Sequence, residues 1–165
     1  MAVKAKDRHV MELTRPSDRE FVLTRVFDAP RALVFEAWTR PEHVKQWYGC
    51  GAFALQACEI ELRVGGTYRY TMRSPDGVDH TMTGVYHEIS PPERLVYSER
   101  YITHGFESNE AVVTVTFVEQ NGRTTLTSTV RHQSAADRDG HLNSGVEKGA
   151  AEVFDRLAAH LATMI

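Results

Sequence analysis

Eight histidines (9, 43, 80, 87, 104, 132, 141 and 160) and two cysteines are the side chains of this 165-residue chain with the widest chemical range. Their spacing is poor in motifs. Cys50 and Cys58 are separated by seven residues, which fits neither a CxxC redox pair nor a zinc pair, so two unlinked thiols are expected. No HxxxH pair falls on a helical pattern, and His87-Glu88 lacks the rest of HExxH. His80 and His87 share a strand pattern at opposite parity, so their side chains point to opposite faces. Asp137-Arg138-Asp139-Gly140 lacks the further oxygen ligands of a calcium loop. Gly49-Cys50-Gly51 does not open a helix after a strand, and GxxxxGK[ST] and GxSxG motifs are absent. Neither a bound metal nor a cofactor is expected, and no catalytic motif is found, so an enzyme is the less favoured reading.

What remains is the inward face of a sheet. Alternation places Tyr68, Tyr70 and Met72 on one face, Met82, Gly84 and Tyr86 on one face, and Leu95, Tyr97, Glu99 and Tyr101 on one face. Val113, Val115 and Phe117 group in the same way, as do Leu126, Ser128 and Val130. These residues suit an ordinary core, but tyrosine and methionine walls with few polar groups also describe ligand pockets. Glu99 is the sharpest case. A carboxyl sharing a face with Tyr97 would have its pKa raised by desolvation and could serve as an acid, a base or an anchor for a polar ligand head. The alternatives are an exposed strand end, or pairing with Arg69, Arg100 or Arg131.

The elements that position these groups follow from period and punctuation. Residues 1–19 are charged and without apolar pattern, and are expected to form a loose arm ahead of a single domain spanning 20–165. A strand covers Glu20–Phe27. Asp28-Ala29-Pro30 then opens a helix carrying Leu33, Val34, Ala37 and Trp38, with Asp28 near its cap. A second short helix follows, with capping-box spacing at Thr39-Arg40-Pro41-Glu42 and an apolar side of Val44, Trp47 and Tyr48. Six further strands are expected at 53–62, 67–74, 78–89, 94–101, 110–119 and 123–131, separated by turns of which Asn121-Gly122 is the strongest signal. A final helix from about Asn143 to Thr163 carries a stripe of Val146, Ala150, Val153, Phe154, Leu157, Leu161 and Met164. Seven strands cannot hide one face behind two short helices, so the long helix must cross that face.

Composition narrows the partners. The formal charge is −3, from 19 basic and 22 acidic residues, which argues against nucleic-acid binding through phosphate contacts. No stretch is long and apolar enough to span a membrane, and no export signal is evident, so a cytoplasmic monomer or homodimer is expected.

An ordered set of short motifs runs along the chain: Arg25-Val26-Phe27-Asp28-Ala29-Pro30, Val34-Phe35-Glu36-Ala37-Trp38-Thr39, Pro41-Glu42-His43 and Gln46-Trp47. It continues through Gly65-Gly66-Thr67-Tyr68-Arg69-Tyr70, Pro75-Asp76-Gly77, Gly84-Val85-Tyr86 and Ser90-Pro91-Pro92-Glu93-Arg94-Leu95-Val96-Tyr97. Ser144-Gly145-Val146-Glu147-Lys148-Gly149 and Asp155-Arg156-Leu157 complete it. With the order of elements, this set resembles the helix-grip (START-like, SRPBCC) superfamily. Within it, the chain is similar to bacterial proteins related to the C-terminal domain of the activator of the Hsp90-type chaperone ATPase. Two positions depart from the family pattern: Tyr48-Gly49-Cys50 replaces a second Trp followed by Gly-Pro, and Ala150 stands where a large residue is frequent. If Ala150 faces the sheet, its small side chain enlarges the cavity or alters its mouth.

The resemblance implies an α+β fold, with a curved antiparallel seven-stranded sheet, two short helices and a long C-terminal helix across the concave face. It also implies a cavity between that helix and the sheet. The expected function is binding of a small hydrophobic or aromatic molecule, lined by Trp38, Trp47, Tyr68, Tyr70, Met72, Met82, Tyr86, Tyr97, Glu99, Phe117, Ala150 and Phe154, with the Tyr48–Cys50 turn at the entrance. A chaperone-associated stress protein is the second expectation. A cyclase/aromatase-type enzyme using Glu99, Tyr97 and Tyr70 is the third.

Overall fold

A computed structural model describes residues 9–49 and 53–165. Its elements run β1 (Glu12–Ser17), β2 (Glu20–Phe27), α1 (Arg31–Thr39), α2 (Pro41–Trp47), β3 (Ala54–Ile60), β4 (Thr67–Arg73), β5 (Asp79–Ser90), β6 (Arg94–Thr103), β7 (Phe106–Glu107), β8 (Ala111–Gln120), β9 (Arg123–Arg131), α3 (Ala135–Asn143) and α4 (Val146–Met164). The sheet order is β1-β2-β9-β8-β6-β5-β4-β3, with β7 paired to β6, and every pairing is antiparallel.

The α+β class stands, but the seven-strand expectation is corrected to nine strands. The additions are β1, which lies within the expected arm, and β7, a two-residue strand. Each of the seven expected segments forms a strand. At the β8–β9 turn, Asn121 and Gly122 take φ of 55° and 75°, the left-handed pair that a type I′ hairpin requires.

The short helices begin differently from the pattern at their caps. Asp28 does not cap α1; it ion-pairs with Arg123 at 3.1 Å, and its carboxylate lies 2.9 Å from His9 Nε2. The Glu119 carboxylate instead accepts from the Arg31 backbone N–H at 2.8 Å, so the sheet satisfies one of the first free donors of α1. Nor does Thr39 form a capping box. Its hydroxyl donates to the Phe35 carbonyl at 2.8 Å, and Pro41 at the first position starts α2.

Helices α3 and α4 pack on one face of the sheet. In β2, Phe21, Leu23, Arg25 and Phe27 all point inward and are buried. Arg25 meets α4 through Asp155, with Nη1 donating to Oδ1 at 2.5 Å, and its guanidinium lies 5.2 Å from the centre of the Phe27 ring. The C-terminal half of α4 closes a dense core: Phe154, Leu157 and Leu161 are buried with Phe27, Val34 and Val44. Helix α3 was not expected. None of its residues is buried, so it carries no apolar period. Ser134 caps it by accepting from the Asp137 N–H at 3.1 Å, and Arg138 ties it to the Ser17 carbonyl at 2.5 Å.

Candidate functional site

The N-terminal half of α4 does not close onto the sheet. Between α4, α3, α1–α2 and the sheet lies a cavity of about 720 Å³, within the range of small-molecule sites. Its roof is Val146, Gly149, Ala150, Val153 and Phe154; its floor includes Tyr68, Tyr70, Met72, Met82, Tyr97, Glu99 and Tyr101. Trp38, Trp47 and Tyr48 form the wall at the α1–α2 side. The exposed lining residues Phe106, Glu107 and Asn109 on one side, and Gly140, Ser144 and Gly145 on the other, mark the mouth. There the Asn109 amide donates to the Asp137 carboxylate at 3.1 Å.

Ten of the twelve expected lining residues therefore lie on the wall, Ala150 among them. Two do not. Phe117 points inward but is covered by Phe35 and Trp38, at 5.4 and 6.3 Å between ring centres. Tyr86 is buried one rank back, against Tyr68 at 5.6 Å and Tyr97 at 6.0 Å. Inward parity puts a residue under the helices, not necessarily beside the empty space. Cys50, expected at the entrance, lies outside the described residues.

The aromatic wall is continuous. Phe154, Trp38 and Trp47 follow one another at 6.2 and 5.2 Å, and Tyr48, Tyr70 and Tyr68 continue the chain at 4.8 and 5.2 Å. The link between the two runs is Trp47–Tyr48, at 5.8 Å. Trp47 is fixed in place by its ring N–H, which donates to the Ala37 carbonyl at 2.9 Å. Burial holds the hydroxyls of Tyr68, Tyr70 and Tyr97 well above the usual tyrosine range, so all three stay neutral. The Cys58 thiol in β3 is buried and pushed up to about 11, which makes it a poor nucleophile.

Glu99 stands beside a gap in the β5–β6 pairing, where the register itself is unbroken and shifts only between Tyr86 and Glu88. Between the pairs Thr83–Arg100 and Tyr86–Tyr97, side chains complete the hydrogen bonding: the Ser98 hydroxyl accepts from the Val85 N–H at 2.9 Å, and the Tyr68 hydroxyl donates to the Ser98 carbonyl at 2.7 Å. Gly84 allows this approach, since a Cβ there would fall 1.8 Å from the Ser98 oxygen. The Glu99 carboxyl lines the cavity, and desolvation pushes its pKa up to about 7. Among the described residues no cation pairs with it. Arg100 is engaged instead by Glu107 at 2.9 Å and Glu110 at 3.8 Å.

Two further polar groups on the wall escaped the sequence pattern. His132, just beyond β9, and His141, in the last turn of α3, touch through Nε2 and Nδ1 at 3.0 Å. Their separation of nine residues matches no motif; only the turn from β9 into α3 brings them together. A second histidine pair, His43 and His160 at 2.9 Å, joins α2 to α4 away from the cavity. Among the described residues, no three His, Cys, Asp or Glu side chains are grouped to hold a metal ion. No helix among them is long and apolar enough to cross a membrane.

An antiparallel sheet holding a long C-terminal helix, with a cavity between them, defines a helix-grip protein of the START-like class. Sequence comparison then places it more narrowly. The chain belongs to the family described as activator of Hsp90 ATPase homolog 1-like protein, whose model matches residues 28–162. Membership of this family supports, in general terms, the binding of a ligand or a partner. Among solved structures, a protein from Rhodobacter sphaeroides is similar at a TM-score of 0.87 and 25% identity, over 93% of this chain and 99% of that one. A Mycobacterium smegmatis protein gives 0.82 and 21%, over 91% and 95%. The AHSA1 protein from Silicibacter pomeroyi gives 0.74 and 20%, over 88% and 99%; the last two likenesses show the fold alone. No curated protein matches the chain in sequence.

Proposed function

We propose that this protein binds a small hydrophobic or aromatic molecule in the cavity between the sheet and α3–α4. The observation that carries the reading is the cavity itself: about 720 Å³ left open beneath an otherwise well-packed helix and walled by aromatic rings. Interiors are normally packed to crystal-like density, so a space this large under α4 asks for an occupant. Burying some 300 Å² of apolar ligand surface would contribute roughly 7 kcal/mol before the costs of immobilisation. Glu99 is the polar anchor in this reading, and Trp38, Trp47, Tyr68, Tyr70, Met72, Met82, Tyr97, Ala150 and Phe154 supply contact area. Denaturing the purified protein and identifying co-purified small molecules by mass spectrometry tests it. A reproducible apolar or aromatic compound supports the reading; protein that arrives empty and binds no apolar fluorophore sinks it.

The family description favours a second reading, association with an Hsp90-type chaperone. Stimulation of the chaperone's ATPase by this protein is its test. Stimulation that persists when the cavity is filled by Ala150→Trp would separate that surface from the cavity.

A further inference from the structure

The His132–His141 contact has only one neutral arrangement of protons. His132 Nδ1 lies 3.1 Å from the Arg19 carbonyl oxygen, which can only accept, so Nδ1 carries the hydrogen and Nε2 is bare. A bare His132 Nε2 must accept at its 3.0 Å contact, so His141 carries its hydrogen on Nδ1. His141 Nε2 is then an unprotonated acceptor, and no partner for it is found among the described residues. Phe21 braces both rings, at 5.4 and 5.0 Å, and both histidines line the cavity.

The rest of the lining sharpens what this acceptor can meet. It contains no lysine or arginine, but it does contain Glu99, Glu107 and Asp137, so a carboxylate or phosphate group has no cation to receive it. We propose that His141 Nε2 accepts a hydrogen bond from a hydroxyl on the bound molecule, which makes the occupant an aromatic or polycyclic alcohol or phenol. This rests on the cavity reading above. The tautomer is imposed by a backbone carbonyl through His132, which acts as a positioning residue.

The probes are 2-naphthol and its methyl ether, 2-methoxynaphthalene, which has the same rings and no donor. Titration followed by fluorescence should show naphthol binding the wild-type protein about tenfold more tightly, the value of one hydrogen bond to this acceptor. His141→Phe should bring the two probes to equal affinity while still binding both. Nitrogen-15 spectra of the unmodified protein give a second readout that needs no variant: both histidines should show bare Nε2 atoms, and naphthol alone should move the His141 Nε2 resonance. Equal affinities in the wild type, a preference that survives His141→Phe, or a protonated His141 Nε2 in the neutral protein would each overturn the hydroxyl assignment and leave the cavity reading standing. Failure of both probes to bind the wild type at all would overturn both.

Discussion

The two halves of α4 belong to one amphipathic stripe and do opposite things. From Phe154 onward the stripe is buried against Phe27, Val34 and Val44. Before it, Val146, Ala150 and Val153 are only half-buried and roof an open space. The period of the helix is the same throughout; side-chain size and opposing surface differ. Large residues meet β2 and the short helices at one end, while Gly149 and Ala150 stand over tyrosines at the other. An apolar stripe therefore specifies that a surface is covered, and residue volume decides whether it is filled.

The largest effect that can break this contrast is in the packed half. Leu157→Ala should cost about 3 kcal/mol in urea denaturation, because a fully buried side chain leaves a cavity behind, whereas Val153→Ala should cost under about 1 kcal/mol. Equal costs would mean the two halves are packed alike.

The pH dependence of stability comes next, and the cavity's two polar ends should oppose each other. Glu99 rises from its ordinary 4.5 to about 7 on folding, so its contribution is full below 4.5 and is lost as pH rises through 7. His141 falls from 6.5 to about 4, under burial and the neighbouring His132, so its contribution is full above 6.5 and is lost as pH falls through 4. The two windows largely overlap, so Glu99→Gln should leave a melting temperature that rises with pH from about 4 to 6.5, and His141→Phe one that falls from 4.5 to about 7. A profile unchanged by either variant would remove that end of the contrast.

Smaller effects test the open half directly. Ala150→Trp should change stability by less than about 1 kcal/mol, since the indole enters empty space, yet weaken binding of an apolar fluorophore at least about tenfold. A loss of stability typical of overpacking would show that the roof is already filled. Tyr68→Phe should cost about 1 kcal/mol by removing the hydroxyl that donates to the Ser98 carbonyl. A neutral result in thermal denaturation would show that the β5–β6 junction at Ser98 does not depend on it.

Much of this arrangement was legible before folding. Alternation in β4, β5 and β6 puts Tyr70, Met82, Tyr97 and Glu99 on one face, and the stripe of α4 is plain. Other parts carry no such signal. Strand β1 is Glu-Leu-Thr-Arg-Pro-Ser, an edge with no buried residue, held by backbone pairing that leaves no periodic trace. Helix α3 has Gly140 in its interior and no buried side chain, so it has neither helical propensity nor an apolar face to announce it. Phe117 and Tyr86 show the limit of parity, which assigns a face but not what lies over it. The His132–His141 pair depends on a carbonyl at Arg19, more than a hundred residues away, and no local pattern encodes that.

The bond from Asn109 to Asp137 at the mouth has a kinetic consequence. It joins the loop after β7 to the first turn of α3 through side chains that face solvent, and such a bond is worth about 1 kcal/mol. Breaking it disturbs neither Leu157 nor the strands. In the ligand-binding reading proposed above, residence time is then set by how tightly the molecule is held, because a bond this weak gives way without any loosening of the fold.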